Sequence, residues 1–330
     1  MALNFIQQIS LKIFALIISI MYSFNGGLVA PSTAQPIEAK NPDDVKMVFA
    51  TVADPQVSNY MFGRYQSFQE ACMDLRTGDF DAIVGIGDIA ENGLAEEYRM
   101  VYDELKDINT RFIMATGNHD IRLRAYSQVT DRFFAFTNAL NGEDGAPVKP
   151  YADGKLAYSE EVNGYKFIVM GSDKTEFEEA YISPEQLVWL DAELASVEDE
   201  PVFVVLHQPL KLTHNLPTTW GNGTNKEAGS VGDQNDDIKA ILAKHADDKT
   251  VVLLTGHLHA GFSQYSYQQI EGFHSVNVPA LSIENKDGEE GGNGSGLTYI
   301  VEVYEDEILF RPRNCETGEW LPKWNFTIEL

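Results

Sequence analysis

Short apolar runs alternate with amphipathic segments in the first part of the chain. Val48–Ala53, Ala82–Ile86 and Phe112–Ala115 have the length and the apolar character of buried strands. The segments between them, Tyr65–Arg76 and Leu94–Lys106, carry apolar or aromatic residues at helical spacing. A repeated order of strand and helix is typical of a layered α/β core, and we predict such a core here.

The same alternation continues in the second half of the chain. Ser183 is a good helix cap, Pro184 favours the first helical position, and Gln186 stands three residues after the cap. This combination predicts a helix that begins at residue 184. The pattern then predicts a strand, a helix and a strand at Val202–Leu206, Gln234–His245 and Val251–Leu254.

Strands dominate the predicted structure from Tyr265 onward. An earlier Asn163-Gly164 pair predicts a hairpin turn between two strands, and three late strands follow. These five strands are Leu156–Val162, Tyr165–Met170, Ser275–Val278, Leu297–Tyr304 and Glu307–Arg311. We predict surface loops at Arg122–Gly154, Gln208–Asp233 and Asn285–Gly296. The whole pattern predicts a sandwich of two mixed sheets flanked by helices, in one domain over residues 45–330 with a β-rich C-terminal extension.

The N-terminal 34 residues have the layout of a secretory signal. They carry one charge, Lys12, followed by the apolar run Ile13–Phe24 and by small residues up to Ala34. An uncleaved membrane anchor is the alternative, although two glycines and a proline interrupt the roughly 20 apolar residues that a spanning helix needs. We therefore expect a secreted or periplasmic protein in which residues 35–44 form a polar linker.

Composition and charge limit the classes of partner. The 330 residues are 44% hydrophobic, which is ample for a core, and the formal net charge is −26. A field of this sign repels nucleic acid and anionic membranes, so we expect no nucleic acid partner, and no membrane partner if the signal is cleaved. Cys72 and Cys315 are the two cysteines, and their wide separation leaves their pairing open.

Side chains that bind metals follow each of five predicted strands. Asp54-Pro55-Gln56, Gly87-Asp88 and Gly117-Asn118-His119-Asp120 follow the first three, and His207 and Gly256-His257-Leu258-His259 follow two later ones. Each motif alone is a common turn or an ordinary polar site. Carboxylate, amide and imidazole donors repeated at five strand ends instead predict a binuclear metal centre, bridged by the one carboxylate of the second motif. If the chain stays extended after the strand, His257 and His259 point to the same face; if it turns tightly, they can bind different metals.

This series of motifs resembles that of the calcineurin-like metallophosphoesterases: Asp-x-His, Gly-Asp, Gly-Asn-His-(Asp/Glu), His and Gly-His-x-His. The match runs from about Val45 to Val303. The resemblance implies a four-layer α/β/β/α fold and two divalent cations, with Mn, Fe or Zn expected. It implies that the first cation is held by Asp54, Gln56, Asp88 and His259. It implies that the second is held by Asp88, Asn118, His207 and His257.

The resemblance also implies roles in catalysis and shows one departure. His119 would face the leaving oxygen as the general acid, and Asp120 would orient its ring. Gln56 stands where the series has histidine, as in some relatives; an amide oxygen binds Zn or Fe less well than imidazole does and shifts preference toward Mn or Mg. Purple acid phosphatases match poorly because Glu91 stands where their tyrosine would be.

The expected function is that of a secreted phosphoesterase that hydrolyses a small phosphodiester or phosphomonoester by attack of a metal-bridging hydroxide. Residues 87–98 are similar to bacterial phosphodiesterases of this family, which favours a diester. A phosphoprotein phosphatase and a non-catalytic metal-binding or nucleotide-binding relative are the alternatives. Four side chains in loops near the motifs are candidates for binding the substrate phosphate, or else ordinary surface groups: Arg64, Arg122, Arg124 and His214.

Overall fold

The computed structural model describes residues 34–142, 145–214 and 230–330. Its strands, in chain order, are β1 (Met47–Val52), β2 (Ala82–Gly85), β3 (Arg111–Met114), β4 (Tyr158–Val162), β5 (Tyr165–Val169), β6 (Val202–Val205), β7 (Val251–Thr255), β8 (Tyr267–Ile270), β9 (Phe273–Asn277), β10 (Leu297–Val303), β11 (Glu307–Asn314), β12 (Glu319–Trp320) and β13 (Phe326–Glu329). Its helices are α1 (Phe62–Leu75), α2 (Ala95–Leu105), α3 (Asn118–Ile121), α4 (Tyr126–Asn141), α5 (Pro184–Ala195) and α6 (Asn235–Ala246), with a 3-10 turn at Pro322–Trp324.

The strands form two mixed sheets. The first has seven strands in the order β12-β11-β10-β1-β2-β3, with β13 also paired to β11. Its strands β1, β2 and β3 are parallel, whereas β10 runs antiparallel to β1. The second sheet has six strands in the order β4-β5-β6-β7-β9-β8, parallel through β5, β6, β7 and β9 and antiparallel at both edges.

The two sheets pack face to face, and helices cover their outer faces. Phe49 of β1 meets Phe167 of β5 and Phe203 of β6, with ring centroids 5.4 and 5.1 Å apart. Because successive strand residues point to opposite faces, the next residues, Ile168 and Val204, lie in a second apolar cluster that includes α5 and α6. Helices α1, α2 and α4 bury apolar side chains in the larger cluster on the first sheet. The predicted sandwich of two mixed sheets flanked by helices is confirmed.

Local turn signals in the sequence produced the expected structures. Asn163 and Gly164 have φ angles of 52° and 88°, and they join β4 to β5 as the hairpin prediction required. The Ser183 hydroxyl accepts from the Gln186 backbone at the start of α5, 3.3 Å away, as predicted. These signals succeed because a positive φ or a cap depends on residues close in sequence.

The prediction of a surface loop at Arg122–Gly154 is wrong. This stretch contains α4, sixteen residues long, which buries Val129, Phe133, Phe136 and Leu140. Threonine, asparagine and aromatic residues give this segment a weak intrinsic helix preference. Packing against α2 and the first sheet stabilises the helix, and that tertiary contribution is not visible in local sequence.

The N-terminal and C-terminal parts of the described chain are tied into the first sheet. The β-rich C-terminal region is not an appendage, because β10 lies between β1 and β11. Residues 35–44 are irregular, and Lys40 and Asn41 donate backbone hydrogen bonds to side chains of β10 and of the residue after it. Both cysteines are free and buried. The predicted signal lies outside the described residues apart from Ala34, and no helix within the described part is long and apolar enough to cross a membrane.

Candidate metal centre

The predicted ligands follow the carboxyl ends of neighbouring strands. Asp54 and Gln56 come after β1, and Asp88 comes after β2. Asn118 opens α3 after β3, and the three histidines His207, His257 and His259 follow β6 and β7. Backbone hydrogen bonds join the loops within each sheet, because Asp54 donates to Gly87, Gln56 donates to Asp88, and Gly256 donates to His207. Parallel strands thus bring all five motifs to one edge of the sandwich.

Strained backbone is concentrated at this edge. Five of the seven predicted ligands are non-glycine residues with φ in the left-handed region, namely Asp54 (49°), Gln56 (39°), Asp88 (51°), His257 (68°) and His259 (44°). Such conformations are uncommon outside glycine and persist where surrounding structure enforces them, often at functional sites. The sharp turn through the last two histidines also decides between the two geometries left open by the sequence: the chain turns there.

The backbone approaches these side chains too closely for any residue but glycine. A Cβ added to Gly117 would lie 2.1 Å from Asp88 Oδ1, and one added to Gly256 would lie 2.7 Å from Asp54 Oδ2. The same backbone segments donate to the carboxylates, since His119 N is 2.8 Å from Asp88 Oδ1 and His257 N is 2.9 Å from Asp54 Oδ2. The glycines of the motifs therefore serve close approach of backbone to carboxylate.

Carboxylates and imidazoles converge in a buried cluster. Donor atoms of Asp88, His207 and His257 all lie within 4.8 Å of one another. His207 Nε2 is 3.2 Å from Asp88 Oδ2 and 3.7 Å from Asp54 Oδ1, while His259 Nε2 is 3.1 Å from Asp54 Oδ1. All of these side chains are fully or nearly fully buried except that of His259, which is 27% exposed. The site is therefore a small polar chamber with one accessible imidazole.

The chamber attracts positive charge. Burial lowers the pKa of His207, but the carboxylates of Asp88 and Asp54 outweigh it and raise that pKa to about 9. Burial raises the pKa of Asp88, but His207 and other nearby histidines outweigh it and hold that pKa below its usual range. Burial and the charge of His207 lower the pKa of His257 to about 3. Two ionised carboxylates beside a neutral imidazole form a donor set suited to a divalent cation.

Asn118 provides a direct test of whether the residues fit a cation. Its Nδ2 lies 3.1 Å from Glu178 Oε2 and 3.4 Å from the carbonyl oxygen of Phe177, and donates to both. This arrangement fixes the amide and leaves Oδ1 buried without a hydrogen-bond partner within residues 34–142, 145–214 and 230–330. A buried acceptor without a partner is costly in a protein interior. A cation at this point would satisfy Oδ1, so the chamber fits the ion that the sequence predicts.

Gln56 is placed in the chamber with its amide nitrogen toward the other donors. Nε2 donates to Asp88 Oδ2 at 3.1 Å and lies 3.3 Å from His259 Nε2. The oxygen, Oε1, accepts from Arg64 at 3.0 Å. The side chain is brought to the predicted place, while its oxygen points to the guanidinium.

His119 lies at the rim of the chamber, and Asp120 does not orient its ring. His119 Nδ1 is 3.0 Å from the Glu91 carbonyl oxygen and 3.4 Å from Glu91 Oε2, and Nε2 is 3.9 Å from Asp88 Oδ2. The carboxylate of Asp120 instead accepts from three backbone amides and from the Tyr98 hydroxyl. The expected ring-orienting role of Asp120 is therefore wrong, and Glu91 has that position.

The three candidate arginines lie around the rim, each already held by the protein. Arg64 Nη1 is 2.6 Å from Glu91 Oε2, and Arg122 Nη1 is 3.3 Å from Glu178 Oε1. The other terminal nitrogen of Arg122, Nη2, is 2.9 Å from His119 Nδ1. Arg124 donates through Nε to the carbonyl oxygen of Asn92, 3.0 Å away. These contacts place two of the three beside predicted site residues.

His214 is not brought to the centre. Its ring is buried, with Nδ1 2.9 Å from the Tyr265 carbonyl oxygen and Nε2 3.1 Å from Ser275 Oγ. Burial lowers the pKa of this imidazole to about 4, so the ring is neutral near pH 7. The expectation that His214 binds a phosphate is therefore corrected, because both nitrogens are used and no positive charge is available.

The site also contains two acidic residues that the sequence analysis did not select as site residues. Glu91 contacts Arg64 and His119, and Glu178 contacts Asn118 and Arg122. Glu91 follows Asp88 by three residues, at the position where purple acid phosphatases have a metal-binding tyrosine. A carboxylate at that position was the one sign in the sequence that Glu91 belongs to the site. Glu178 lies in a loop between β5 and α5 with no motif around it, so sequence alone had no means of selecting it.

The fold and this donor set define a metal-dependent phosphoric ester hydrolase. Residues 47–261 match the family model of the calcineurin-like phosphoesterases, which supports this class. The chain belongs to the calcineurin-like phosphoesterase family. Both the resemblance and the fold predicted from the sequence are thereby confirmed.

Named relatives in the family are phosphodiesterases. The chain is 26% identical over 236 residues to a probable cyclic nucleotide phosphodiesterase of Rhodococcus erythropolis, an alignment that covers 69% of this chain and 68% of that protein. It is 24% identical over 184 residues to a 3',5'-cyclic-nucleotide phosphodiesterase of Nostoc, covering 56% and 58%. It is 24% identical over 131 residues to a probable glycerophosphodiester phosphodiesterase of Arcobacter nitrofigilis, covering 39% and 42%. The chain thus spans less than two thirds of the last two proteins.

Solved structures share the fold at low sequence identity. A purple acid phosphatase from yellow lupin superposes with a TM-score of 0.57 at 14% identity, covering 86% of this chain and 53% of that one. GAP50 of Plasmodium superposes with a TM-score of 0.52 at 13% identity, covering 86% and 88%. Both comparisons concern the fold alone.

Proposed function

We propose that the chain hydrolyses a small phosphodiester with two divalent cations held at the strand ends. The observation that carries the proposal is the buried cluster of Asp88, His207 and His257 beside the unsatisfied Oδ1 of Asn118. Asp54, Asp88 and His259 would hold the first cation, with Gln56 beside it. Asp88 would also hold the second, together with Asn118, His207 and His257. We expect Mn, Fe or Zn, because carboxylate and imidazole ligands suit these ions.

When bound, two such cations neutralise phosphoryl oxygens and make a water nucleophilic near neutral pH. The residues of the chain hold and shape this site. Asp88 is fixed on both sides, since Oδ1 accepts from the His119 backbone and Oδ2 accepts from Gln56. The glycine contacts described above keep the carboxylates in place without the side-chain motion that would otherwise weaken electrostatic preorganisation.

His119 is positioned to donate a proton to the leaving oxygen. Its Nδ1 lies 3.0 Å from the Glu91 carbonyl oxygen and 3.4 Å from the Glu91 carboxylate, and the Arg122 guanidinium is 2.9 Å from the same nitrogen, so Nδ1 is held by the protein on the side away from Asp88. Burial lowers the pKa of His119, but Glu91 and Asp88 outweigh it and raise that pKa. The hydrogen that His119 can donate is then the one at Nε2, on the side of Asp88. A general acid at this place would protonate the departing alkoxide.

The choice of a diester is supported by the relatives that carry phosphodiesterase names and by the resemblance of residues 87–98. The test compares bis(p-nitrophenyl) phosphate with p-nitrophenyl phosphate after stripped protein is reloaded with Mn²⁺, Zn²⁺, Fe²⁺, Ni²⁺ or Mg²⁺. We expect higher kcat/KM on the diester and none without metal. A preference for the monoester, or for a phosphopeptide offered in parallel, would reject the diester, and no turnover with any metal would reject an enzyme.

We also propose that the substrate is a small soluble ester and that the protein is exported. The formal charge of −26 disfavours nucleic acid and anionic membranes as partners. Export is supported by the signal-like pattern of residues 1–34. N-terminal sequencing of the protein recovered outside the cytoplasm should begin near residue 35. An intact N-terminus in the membrane fraction would instead support the anchored alternative.

A further inference from the structure

Gln56 is held between one obligate donor and one obligate acceptor. Arg64 Nη1 donates to Oε1 at 3.0 Å, and Nε2 donates to Asp88 Oδ2 at 3.1 Å. A guanidinium has no acceptor atom, and an ionised carboxylate has no donor. Both neighbours therefore require the same amide orientation, with the nitrogen toward Asp88 and His259. This is the reverse of the orientation in which the oxygen would bind a cation between those two residues.

Arg64 is itself anchored. It lies in the first turn of α1, and its Nη1 is 2.6 Å from Glu91 Oε2. Glu91 is 8% exposed and also contacts His119. Turning the Gln56 amide over would direct its NH₂ group at this fixed guanidinium, so two donors would face each other.

We propose that Arg64 controls the occupancy of the first cation site by holding the Gln56 oxygen away from it. This rests on the proposed binuclear centre. Gln56 becomes a ligand only when the hydrogen bond between Arg64 and its Oε1 breaks. Binding of a cation through Gln56 is therefore less favourable by the free energy of one charge-assisted hydrogen bond. Bonds of this kind change an equilibrium by about tenfold or more. The first cation is therefore held more weakly than an Asp, Asp, His and Gln donor set would hold it.

The experiment titrates stripped protein with Mn²⁺ and counts free ion by electron paramagnetic resonance, so that no turnover is needed. Arg64→Met is expected to tighten the weaker site by about tenfold, the size of one charge-assisted hydrogen bond. Arg124→Met is the matched control for the lost charge, because that guanidinium contacts the Asn92 carbonyl oxygen and not Gln56, and it should tighten the weaker site much less than Arg64→Met does. Unchanged affinity in Arg64→Met would overturn the proposal.

Removal of a positive charge by itself favours binding of a cation. A double-mutant cycle separates this effect from the effect of the amide, and it repeats the Arg64→Met titration in a Gln56→Leu background. The proposal requires that Arg64→Met tighten the weaker site in the wild type and much less in Gln56→Leu. Equal tightening in both backgrounds would show a purely electrostatic effect and overturn the control by amide orientation. Wild-type protein that binds no Mn²⁺ would instead remove the proposed centre itself, which separates the two failures.

A second inference rests on Phe177, a large apolar side chain that is 63% exposed. Its backbone oxygen accepts from Asn118 Nδ2, and its ring lies over the Arg122 guanidinium, 5.1 Å from the guanidinium carbon. Arg122 in turn reaches Nδ1 of His119. One face of the ring is therefore backed by a fixed cation beside the proposed acid, while much of the side chain remains open to solvent.

The geometry points to Phe177 and Arg122 as a stacking platform for a planar group of the ester, a nucleobase or an aryl ring. This also rests on the proposed function. An exposed aromatic ring gains free energy by stacking on a planar partner, and this ring stands against the arginine that contacts the proposed general acid. Aliphatic esters gain nothing from such a platform.

Inhibition constants of a nucleoside monophosphate and of ribose 5-phosphate test this platform, with bis(p-nitrophenyl) phosphate as the reporter. We expect Phe177→Ala to weaken the nucleotide by about 5- to 150-fold, the range of one base–aromatic stack, and to leave ribose 5-phosphate unchanged. Val188→Ala is the control, because Val188 is an exposed apolar residue on α5 with no contact to the proposed centre among those described above. Equal weakening of both ligands, or no weakening of either, would overturn the platform. Hydrolysis by the wild-type protein in the same assay would still support the proposed function, so the two failures are distinguishable.

Discussion

The Tyr98 hydroxyl on α2 donates a buried 3.0 Å hydrogen bond to Asp120 Oδ1. The same carboxylate accepts from the backbone amides of Ile89, Ala90 and Gly117. Asp120 therefore ties the loop that bears Asp88 to the turn that bears Asn118 and His119, and it anchors both to α2. Its part in the site is to hold two ligand-bearing loops in register.

We expect Asp120→Ala to destabilise the fold and to loosen the centre together. The substitution leaves several buried donors without an acceptor, each worth about 1–3 kcal/mol, so the free energy of unfolding should fall by at least about 3 kcal/mol. Urea denaturation measures the fall, and metal analysis should show partial loss of cations. Tyr98→Phe, which removes one donor, should cost about 1 kcal/mol and keep the metal. A stable, fully loaded Asp120→Ala protein would contradict this role.

Asp88→Ala should empty the centre more completely than any other single change. Asp88 is the one residue assigned to both cations, and it also receives the His119 backbone amide. We expect loss of both metal equivalents with an intact circular dichroism spectrum. Asp81→Ala is the control, because that carboxylate accepts from Val48 at the opposite end of β1 and should leave the metal content unchanged. Two equivalents retained in Asp88→Ala would disprove the bridging assignment.

Replacement of His119 should impair proton donation and not metal binding. For His119→Asn we expect unchanged metal content and losses of about 10²–10⁴-fold on esters with poor leaving groups, because general acid help is of that size. A nitrophenyl ester needs little protonation and should lose much less. The measurement is kcat/KM across a series of leaving groups of rising pKa. Equal losses along the series would show that His119 acts in some other way.

The buried pair of Arg313 and Asp74 should govern stability without affecting the centre. The guanidinium donates to both oxygens of Asp74, each at 2.6 Å, and Arg313 is fully buried. Asp74→Ala leaves an unpaired buried charge and should cost about 3–5 kcal/mol. Arg99→Ala, which breaks an exposed pair with Asp103, should cost about 0.5 kcal/mol or less. A small loss in Asp74→Ala, measured by chemical denaturation, would show that the pair is well replaced by water.

The sequence was sufficient for whatever depends on neighbours in the chain. Strand ends, the hairpin at Asn163, the cap at Ser183 and the meeting of the motifs all follow from local patterns together with the rule that parallel strands share an edge. The sequence failed where partners are distant. The Asp120 carboxylate serves Tyr98 and the loop after β2, and Glu178 fixes Asn118 from sixty residues away. No local pattern encodes either contact.

The left-handed backbone at Asp54, Gln56, Asp88, His257 and His259 has a consequence for how the protein would respond to evolution in the laboratory. Conformations of this kind cost on the order of 1–3 kcal/mol each for residues other than glycine. A library selected for heat tolerance alone would gain by placing glycine at these positions, and it would lose the donor set with the first such exchange. Thermal stability and catalytic activity therefore make opposite demands on each of these residues. A more stable variant that remains active must carry its stabilising substitutions away from the strand ends.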